Sequence, residues 1–360
     1  MLHVATPDAQ ARAEPAGGED ERLARRANAL AGDLMAPRAG LYWPDLAITA
    51  LVTWGMLALA VEASWPGARI AAAVVGVMAL YRGLSFIHEL AHLRPGQLPG
   101  FRFAWNAVLG VPFLAPSFFY EGVHILHHAK DRYGTARDPE YLALSRGSPL
   151  KIVAFVAVAL LAPVGLMLRF AVLTPLSLLI PPLRRAVVER MSAMVINPAF
   201  VREDLERAAS AAWLSQEIAC WLWSWAVIGL VAGGVVPAAW PATGLAILAA
   251  ATFVNQLRTA VAHAWTNDGG KMSFMGQFAD SVNVPPPALP PALWAPVGLR
   301  YHALHHLLPR LPYHALGEAH RRLAAELPAG SAYHAVAQRS LTGALRGLWA
   351  RARAFRHQGH

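Results

Sequence analysis

The stretch IAAAVVGVMALYRGLSFIHELAH, residues 70 to 92, joins a long apolar run to two histidines. The apolar part, Ile70 to Ile87, is long enough to cross a hydrocarbon core of about 30 Å at about 1.5 Å per residue. A helix places positions i and i+4 on one face, so His88 and His92 would point the same way from the end of this span. The stretch therefore predicts a membrane-spanning helix with two imidazoles converging at its end.

Three further apolar segments have the length of a span. They are Leu46 to Glu62, Ile218 to Val236 and Ala242 to Ala262. Short links that contain proline, SWPG and VPAAWPA, connect the first span to the second and the third to the fourth. The chain is therefore predicted to be an all-α, polytopic integral membrane protein with four transmembrane helices in two hairpins.

The positions of the arginines predict the orientation of these hairpins. Arg94 and Arg102 follow the second span, whereas the two links carry almost no charge. A further group precedes the first span: Arg22, Arg25, Arg26 and Arg38. Because Lys and Arg favour the cytoplasmic side of a membrane, both hairpins should open toward the cytoplasm. We therefore expect the termini and the histidines to be cytoplasmic, in the inner membrane of a bacterium.

Two other apolar stretches are interrupted by prolines. Residues 103 to 120 contain two of them, and residues 150 to 182 are broken at Pro163 and Pro175. Each stretch could be a span, a re-entrant pair of short legs or a helix in the membrane interface. Basic residues flank both ends of the second stretch, so both ends should be cytoplasmic. We predict that the two stretches are re-entrant or interfacial.

Polar segments flank the membrane domain, which is predicted to cover residues 43 to 330. Residues 1 to 42 lack the apolar core of a signal peptide and are expected to form a flexible cytosolic tail. Residues 331 to 360 form a basic amphipathic tail, whose amphipathic part runs from Tyr333 to His357. That part could rest on an anionic membrane surface, or cover the cytosolic domain as a solvated helix.

The composition agrees with a membrane protein and excludes other classes. The chain is 56% hydrophobic and 15% charged, with a net charge of +9. Its basic residues flank apolar runs and no module that reads nucleic acid is recognisable, so we expect membrane lipids and no nucleic acid as partners. The single cysteine, Cys220, excludes a disulfide framework and a thiolate metal site. Any metal must therefore be bound by His, carboxylate or amide.

Most of the 15 histidines fall into three short motifs at the predicted cytoplasmic ends of the hairpins. The motifs are HELAH, HILHH and HALHH, and His263 lies at the end of the fourth span. Their histidines are His88, His92, His124, His127, His128, His302, His305 and His306. One HxxxH pair alone more often marks a surface than a site, but two HxxHH motifs rarely arise together by chance. Spacing and position therefore predict a metal site.

The number of histidines predicts two metals. Neutral imidazole is a common ligand of Fe, Zn and Cu. One ion accepts about four to six ligands, which is fewer than the eight or nine imidazoles available. Two metals beside a membrane suggest oxygen chemistry on a lipid.

The three motifs, in this order between two hairpins, resemble the histidine boxes of the membrane fatty acid desaturase family. The similarity extends from about Leu46 to His320 and includes GTARDPEY (134 to 141), NQLRTAVAH (255 to 263) and DSVNVPPP (280 to 287). The resemblance implies a cytosolic helical cap that holds a di-iron site, with O2 as co-substrate. It also implies that the eight motif histidines and His263 are the metal ligands, with no catalytic side chain beyond the metal centre.

One position departs from the family. In its acyl-CoA branch, an asparagine four residues before the histidine matching His263 completes the surroundings of one iron, but here Thr259 occupies that position. Asn255, Asn267 or a water could substitute. His314, in PRLPYH, could be a ligand, a hydrogen-bond partner of a ligand or a structural residue. The other histidines are read as surface residues: His3, His320, His334, His357 and His360.

Carboxylates near the motifs could accept the second N–H of a ligating imidazole and so fix its tautomer. Ordinary capping or salt bridging is equally open for each of them. The candidates are Glu89, Glu121, Asp131, Asp138, Glu140 and Asp280.

The resemblance implies desaturation of a fatty acyl chain by two irons and O2, on a lipid, an acyl-CoA or another acyl carrier. Related membrane hydroxylases and carotenoid ketolases use the same histidines, so hydroxylation or ketolation is the alternative. A metal transporter is a remote alternative, because the spans hold few ionisable groups. The sequence has no dinucleotide fingerprint, CxxC pattern or fused haem domain. A ferredoxin or a cytochrome b5-like protein is therefore the expected electron donor.

Overall fold

The computed structural model describes residues 17–286 and 290–357, which are mainly helical. These residues contain no β-strand, and their extended pairs are isolated bridges such as the one between His263 and Ser281. The all-α prediction is therefore confirmed. The α-helices are α1 (Gly17–Ala31), α2 (Ala39–Glu62), α3 (Pro66–His92), α4 (Phe101–Trp105), α5 (His124–His127), α6 (Pro149–Ala157), α7 (Ala162–Met167), α8 (Thr174–Leu179), α9 (Pro181–Met191), α10 (Ala211–Ala232), α11 (Ala239–Thr259), α12 (Phe274–Asp280), α13 (Pro290–Trp294), α14 (His302–Leu307), α15 (Tyr313–Glu326), α16 (Ala332–Ala335) and α17 (Leu341–His357).

The first predicted hairpin is formed by α2 and α3, which pack along each other. Pro66 lies in the first turn of α3, where a missing N–H costs nothing. The helix then runs unbroken for 27 residues through the HELAH motif to His92. The two histidines of this motif are therefore held by the last turns of a long, rigid helix.

Within the described residues, four helical segments are long and apolar enough to cross a membrane, which is the number predicted. They are Ala39–Glu62, Pro66–His92, Pro149–Leu179 and Ala211–Ala232. The third member differs from the prediction, which had chosen residues 242 to 262. That segment forms α11, a helix of 21 residues that packs against α3 and α2. It is less apolar than the other four because Asn255, Gln256 and Arg258 lie in its last turns.

The run from Pro149 to Leu179 is nearly continuous helix, although it contains two internal prolines. Pro163 and Pro175 each lie in the first turn of a new helical piece, α7 and α8, where proline is tolerated. Its first helix packs against α17 and its last against α9, and both of these helices are rich in arginine. That the run is re-entrant or interfacial stays a prediction, because a helix of this length could also cross the membrane once.

The second broken stretch, residues 103 to 120, forms two short legs. The chain reverses direction between Val111 and Leu114, and Leu114 adopts a positive φ of 56°. Two hydrogen bonds of the Asn106 side chain join the legs. Its Nδ2 donates to Ser117 Oγ at 2.9 Å, and its Oδ1 accepts from the Ser117 N–H at 2.9 Å. That this pair of legs is re-entrant or interfacial stays a prediction.

The N-terminal tail differs from the prediction where the structure describes it. Residues 17–31 form α1, which packs against α15 through the buried Leu23, Ala27 and Ala31. These residues are four apart and so share one helical face. The flexible tail predicted for residues 1 to 42 is therefore wrong from residue 17 onward, because a narrow Ala/Leu stripe is enough to dock this helix. Residues 1–16 lie outside the described part of the chain.

The C-terminal helix α17 covers the protein, as in one of the two predicted alternatives. Its apolar face is buried: Leu348 and Ala352 join the cluster around Trp265, and Leu341 and Ala344 join a second one around Val282. Its arginines lie on the other face, where Arg346 and Arg353 are exposed.

Helices α12, α14, α15 and α16, together with α1, form a helical cap at the histidine-bearing ends of α3 and α11. Its core contains Phe278 from α12, Leu304 from α14, Leu323 from α15 and Tyr333 from α16, together with the buried face of α1. The cap holds α14, and with it the last histidine motif, above the membrane-length helices.

Candidate metal centre

The nine histidines predicted as ligands lie together at the ends of α3 and α11. Helix α3 contributes the HELAH pair, α5 and the residue after it contribute the HILHH residues, and α14 contributes the HALHH residues. His263 follows α11 by four residues. Seven of the nine are buried, whereas His92 and His128 are partly exposed. Four segments distant in sequence therefore converge on one buried site.

The histidines divide into two sets. Within each, one ligand atom per residue lies within 4.8 Å of all the others. The first set is His88, His92, His124 and His305, and the second is His127, His263, His302 and His306. His128 joins the first set, because its Nε2 lies 3.0 Å from Nε2 of both His124 and His305. Two separate sets agree with the prediction of two metal positions.

The division follows the helical spacing. Residues four apart in a motif enter the same set: His88 with His92, His124 with His128, and His302 with His306. The histidine three residues after the first histidine of its motif, His127 or His305, lies in the opposite set. At about 100° per residue, positions i and i+4 differ by about 40° around the axis, whereas neighbours differ by about 100°. One HxxHH motif therefore contributes to both sets of histidines.

The Nε2 atoms within each set have the separations expected for ligands of one ion. In the second set, Nε2 of His263 lies 3.0 Å from Nε2 of His302 and 3.3 Å from Nε2 of His127. An imidazole nitrogen binds a transition metal at about 2.1 Å, so two ligands at right angles stand about 3.0 Å apart. The donor set thus fits two transition-metal ions.

The protonation of the histidines agrees with metal binding. Burial disfavours the charged imidazolium and lowers the pKa well below 6.5 for His124, His128, His263, His302, His305 and His306. Both ring nitrogens of His88 and Nε2 of His92 are buried without a hydrogen-bond partner in the described structure. Buried polar atoms without partners are costly, and a cation between the rings would satisfy them.

Two carboxylates fix the orientation of histidines through Nδ1. Glu140 lies 2.7 Å from Nδ1 of His124, and each oxygen of Asp138 lies 3.0 Å from Nδ1 of His127. Both contacts leave Nε2 facing the histidine sets. Burial lowers the pKa of His127, but the carboxylates of Asp138, Glu140 and Asp280 together outweigh burial and raise the pKa. Burial also raises the pKa of Glu140 to about 7.

Two hydrogen-bonded side chains, Tyr133 and Asp280, orient His263. The Tyr133 hydroxyl lies 2.9 Å from Nδ1 of His263 and donates to Asp280 Oδ2 at 3.1 Å. Tyr141 donates to the same carboxylate oxygen at 2.9 Å. Asp280 therefore acts on His263 through Tyr133. No sequence pattern indicated Tyr133, because it lies 130 positions from the histidine that it contacts.

Among the described residues, the other candidates of the sequence analysis form no hydrogen bond with the nine histidine rings, although Glu89 Oε1 lies 4.0 Å from Nδ1 of His88. Glu89 bonds to the Tyr42 hydroxyl and the Tyr313 N–H, and Glu121 forms ion pairs with Arg102 and Arg207. Asp131 is exposed. Asn267 donates to the carbonyls of Gly134 and Gly270, and Thr259 donates to the Asn255 carbonyl.

His314 lies outside both sets. Its Nε2 accepts the N–H of Arg38 at 3.2 Å, and its ring contacts Tyr42. This placement favours the structural alternative. His320, read as a surface residue, is partly buried and lies 2.7 Å from the Tyr333 hydroxyl. His3 and His360 lie outside the described residues.

Comparison with known proteins identifies the family. The family model described as fatty acid desaturase matches residues 63–337, which include all nine histidines. The chain belongs to the fatty acid desaturase family. The resemblance that the three histidine motifs suggested is thereby confirmed.

A curated relative is similar over almost the whole chain. It is the ceramide hydroxylase of Caulobacter vibrioides (strain NA1000 / CB15N), which is 57% identical over 334 residues. The alignment covers 93% of this chain and 95% of the relative. No solved structure matches the chain at a significant level.

A cavity of about 470 Å³ adjoins the first histidine set. His88, Tyr120 and Glu140 line it on the side of the histidines. Apolar side chains of the membrane-length helices, including Leu84 and Leu248, line it elsewhere. In a family that acts on membrane lipids, this cavity is the candidate substrate site.

The first prediction concerns Asp138. Replacing Asp138 with Asn removes the negative charge and one acceptor beside His127, while the size of the side chain is kept. Loss of such a contact typically reduces metal affinity or activity about 10- to 100-fold. We expect Asp138→Asn to lower the iron bound per chain and product formation together, measured by elemental analysis and lipid mass spectrometry.

Asp131→Asn is the matched control, because this exposed aspartate is near in sequence but makes no contact with the histidines. It should bind iron and form product as the unmodified protein does. Equal iron content in the two variants would show that Asp138 does not support the ligand set.

Proposed function

We propose that this chain is a membrane di-iron hydroxylase that inserts an oxygen atom into a C–H bond of a ceramide-class lipid. The observation that carries the proposal is the 57% identity, over 93% of the chain, with a protein named ceramide hydroxylase. The nine clustered histidines and the adjoining cavity support it, because oxidation of a lipid needs both a metal site and a place for the chain.

The first iron would be held by His88, His92, His124, His128 and His305, and the second by His127, His263, His302 and His306. This assignment is supported by the two sets and by the contacts of His128. Two irons with O2 supply an oxidant strong enough for an unactivated C–H bond. In the overall reaction one oxygen atom enters the substrate and the other leaves as water, with two electrons from an external donor and two protons from solvent.

The protein's own side chains have three tasks in this proposal. Asp138, Glu140 and Tyr133 hold imidazoles with Nε2 toward the ligand sets. The cap covers the histidines, which limits access of water to the site. The apolar cavity aligns the lipid so that one carbon lies beside His88.

Desaturation, the first prediction from the sequence, remains the competing reaction. Both reactions begin with removal of a hydrogen from a lipid chain, and they differ in whether oxygen is then added or a second hydrogen is removed. The relative's name favours addition of oxygen. We therefore rank hydroxylation first.

Lipid mass spectrometry of a host that contains ceramide tests the proposal. We expect a ceramide that has gained one oxygen atom, and under ¹⁸O2 that atom should be the heavy isotope. A ceramide that has lost two hydrogens, with no added oxygen, would refute hydroxylation and support desaturation. His302→Ala is the control for activity of the host.

We also propose that the histidine sets face the cytoplasm, where a ferredoxin or cytochrome b5-like donor reaches them. The support is the bias of arginine toward this end of the hairpins. Cytoplasmic cysteine labelling at an introduced Asp131→Cys, which lies on the exposed surface near α5, would test this orientation.

A further inference from the structure

The cavity beside the first histidine set changes from apolar to polar toward the metal site. On α11, Leu248 and Ala251 line it in the middle of the helix, and Asn255, Arg258 and Thr259 line it near the end that leads to His263. From Leu248 to Thr259 the helix rises by about 16 Å. On α11 the polar lining is therefore the part nearest the histidines. The cavity lining also includes Arg169, from the segment between α7 and α8, and Arg190 from α9.

Helices α3 and α7 contribute further lining. On α3 the cavity is lined by Leu84 and Ile87 and by the hydroxyl residues Tyr81 and Ser85, which donate to backbone carbonyls. On α7 its lining is Ala162, Gly165 and Leu166, which offer no side-chain hydrogen bond. A substrate that enters from the membrane would thus place its hydrocarbon among apolar residues and its polar end beside the irons.

Arg258 and Glu140 are the charged residues at this polar end. The Arg258 guanidinium interacts with the Tyr81 side chain, but one of its donors is unsatisfied. Its Nη2 donates to Asn255 Oδ1 at 3.3 Å, a long contact. Its Nε is buried and has no hydrogen-bond partner in the described structure. Among the described residues no carboxylate lies within ion-pairing distance of it. A buried donor without a partner costs free energy, and an oxygen of a bound ligand would satisfy it.

We propose that Arg258, with Asn255 and Thr259, forms a binding site for the polar head of the substrate. The inference rests on the proposed function, since a ceramide-class head offers amide and hydroxyl oxygens that accept from a guanidinium, and an unsubstituted methylene chain does not. A head bound beside His88 places the carbons within a few bonds of the head at the irons. The oxidised carbon is thus close to the head group, not in the middle of the acyl chain.

The test compares Arg258→Met with Arg258→Lys in the full-length protein in nanodiscs. Loss of a hydrogen bond to a charged group weakens binding about 10- to 100-fold. We expect Arg258→Met to raise both the KM for ceramide and the Kd for a fluorescent ceramide by about that factor. Its iron content should be unchanged, and its product should spread over several chain positions. Arg258→Lys should recover part of the affinity.

Arg346→Gln is the matched control, because it removes an arginine from the exposed face of α17. It should retain the affinity and the product position of the unmodified protein. An Arg258→Met variant with unchanged Kd and an unchanged product position would overturn the head-group site and leave the proposed hydroxylation intact. Loss of iron with unchanged Kd would also overturn it, because Arg258 would then act on the metal centre. An unmodified protein that binds ceramide through Arg258 but releases only an unsaturated product would refute hydroxylation and support the head-group site.

Discussion

Replacement of His305 with alanine is expected to abolish the oxidised lipid and to lower the bound iron below two atoms per chain. His305 is buried in the middle of the first set: its ring centroid lies 4.3 Å from that of His88 and 4.6 Å from that of His92. Its Nε2 lies 3.0 Å from Nε2 of His128. Changes to groups that only support a ligand cost about 10- to 100-fold, so removal of a ligand should cost at least about 100-fold. Product mass spectrometry and elemental analysis of the purified protein measure both effects.

His314→Ala is the control for this variant, since the two residues lie only nine positions apart. His314 contacts Arg38 and Tyr42 and reaches neither set. The His314 variant should keep its iron and its product. Undiminished product in the His305 variant would refute the ligand role, and loss of iron in the His314 variant would restore His314 as a ligand candidate.

The position of the metal centre could be predicted from the sequence because the signal is local. His88 and His92 share a helical face by their spacing alone, and the end of a hydrophobic span fixes where that face lies. The same reasoning applies to the HILHH and HALHH motifs. Three such motifs, located by the same hydropathy pattern, are enough to predict that segments distant in sequence meet at one site.

The assignment of histidines to two sets required the structure. Within HALHH, His302 and His306 join His263, whereas His305 joins His88. Helical periodicity explains this division once the position of α14 between the two sets is known. The sequence does not contain that position, because it depends on how the cap packs through Leu304 and Phe278.

The predictions that differ from the structure concern segments whose signal is weak or mixed. α1 docks through Leu23 and two alanines, a stripe too narrow to distinguish from a polar tail. α11 ends in polar residues that line the cavity, which lowers its hydropathy below that of the other membrane-length helices. In both cases the contacts that determine the conformation are with distant parts of the chain.

Disruption of a buried ion-pair network is expected to have a large effect on the stability of the protein. Glu217 on α10 is fully buried and accepts from Arg169 at 2.6 Å and from Arg184 at 2.7 Å. Arg169 is itself 2% exposed. Removing one partner of a buried pair costs about 3 to 5 kcal/mol, because the other charge is left without compensation. We expect Glu217→Gln to lower the thermal denaturation midpoint of the detergent-solubilised protein by roughly 5 to 10 °C.

Glu203→Gln is the matched control, because Glu203 pairs with Arg132 at 2.9 Å but has a side chain that is 60% exposed. Exposed pairs contribute about 0 to 1 kcal/mol, so this variant should denature close to the unmodified protein. Combining Glu217→Gln with Arg169→Met should recover part of the lost stability, since the uncompensated buried charge is then gone and Arg184, 20% exposed, can reach solvent. If Glu217→Gln is no less stable than Glu203→Gln, burial of the Arg169 charge does not require the Glu217 carboxylate. Failure of the double variant to recover would instead assign the loss to the Trp213 Nε1 contact with Glu217 Oε2 at 3.2 Å.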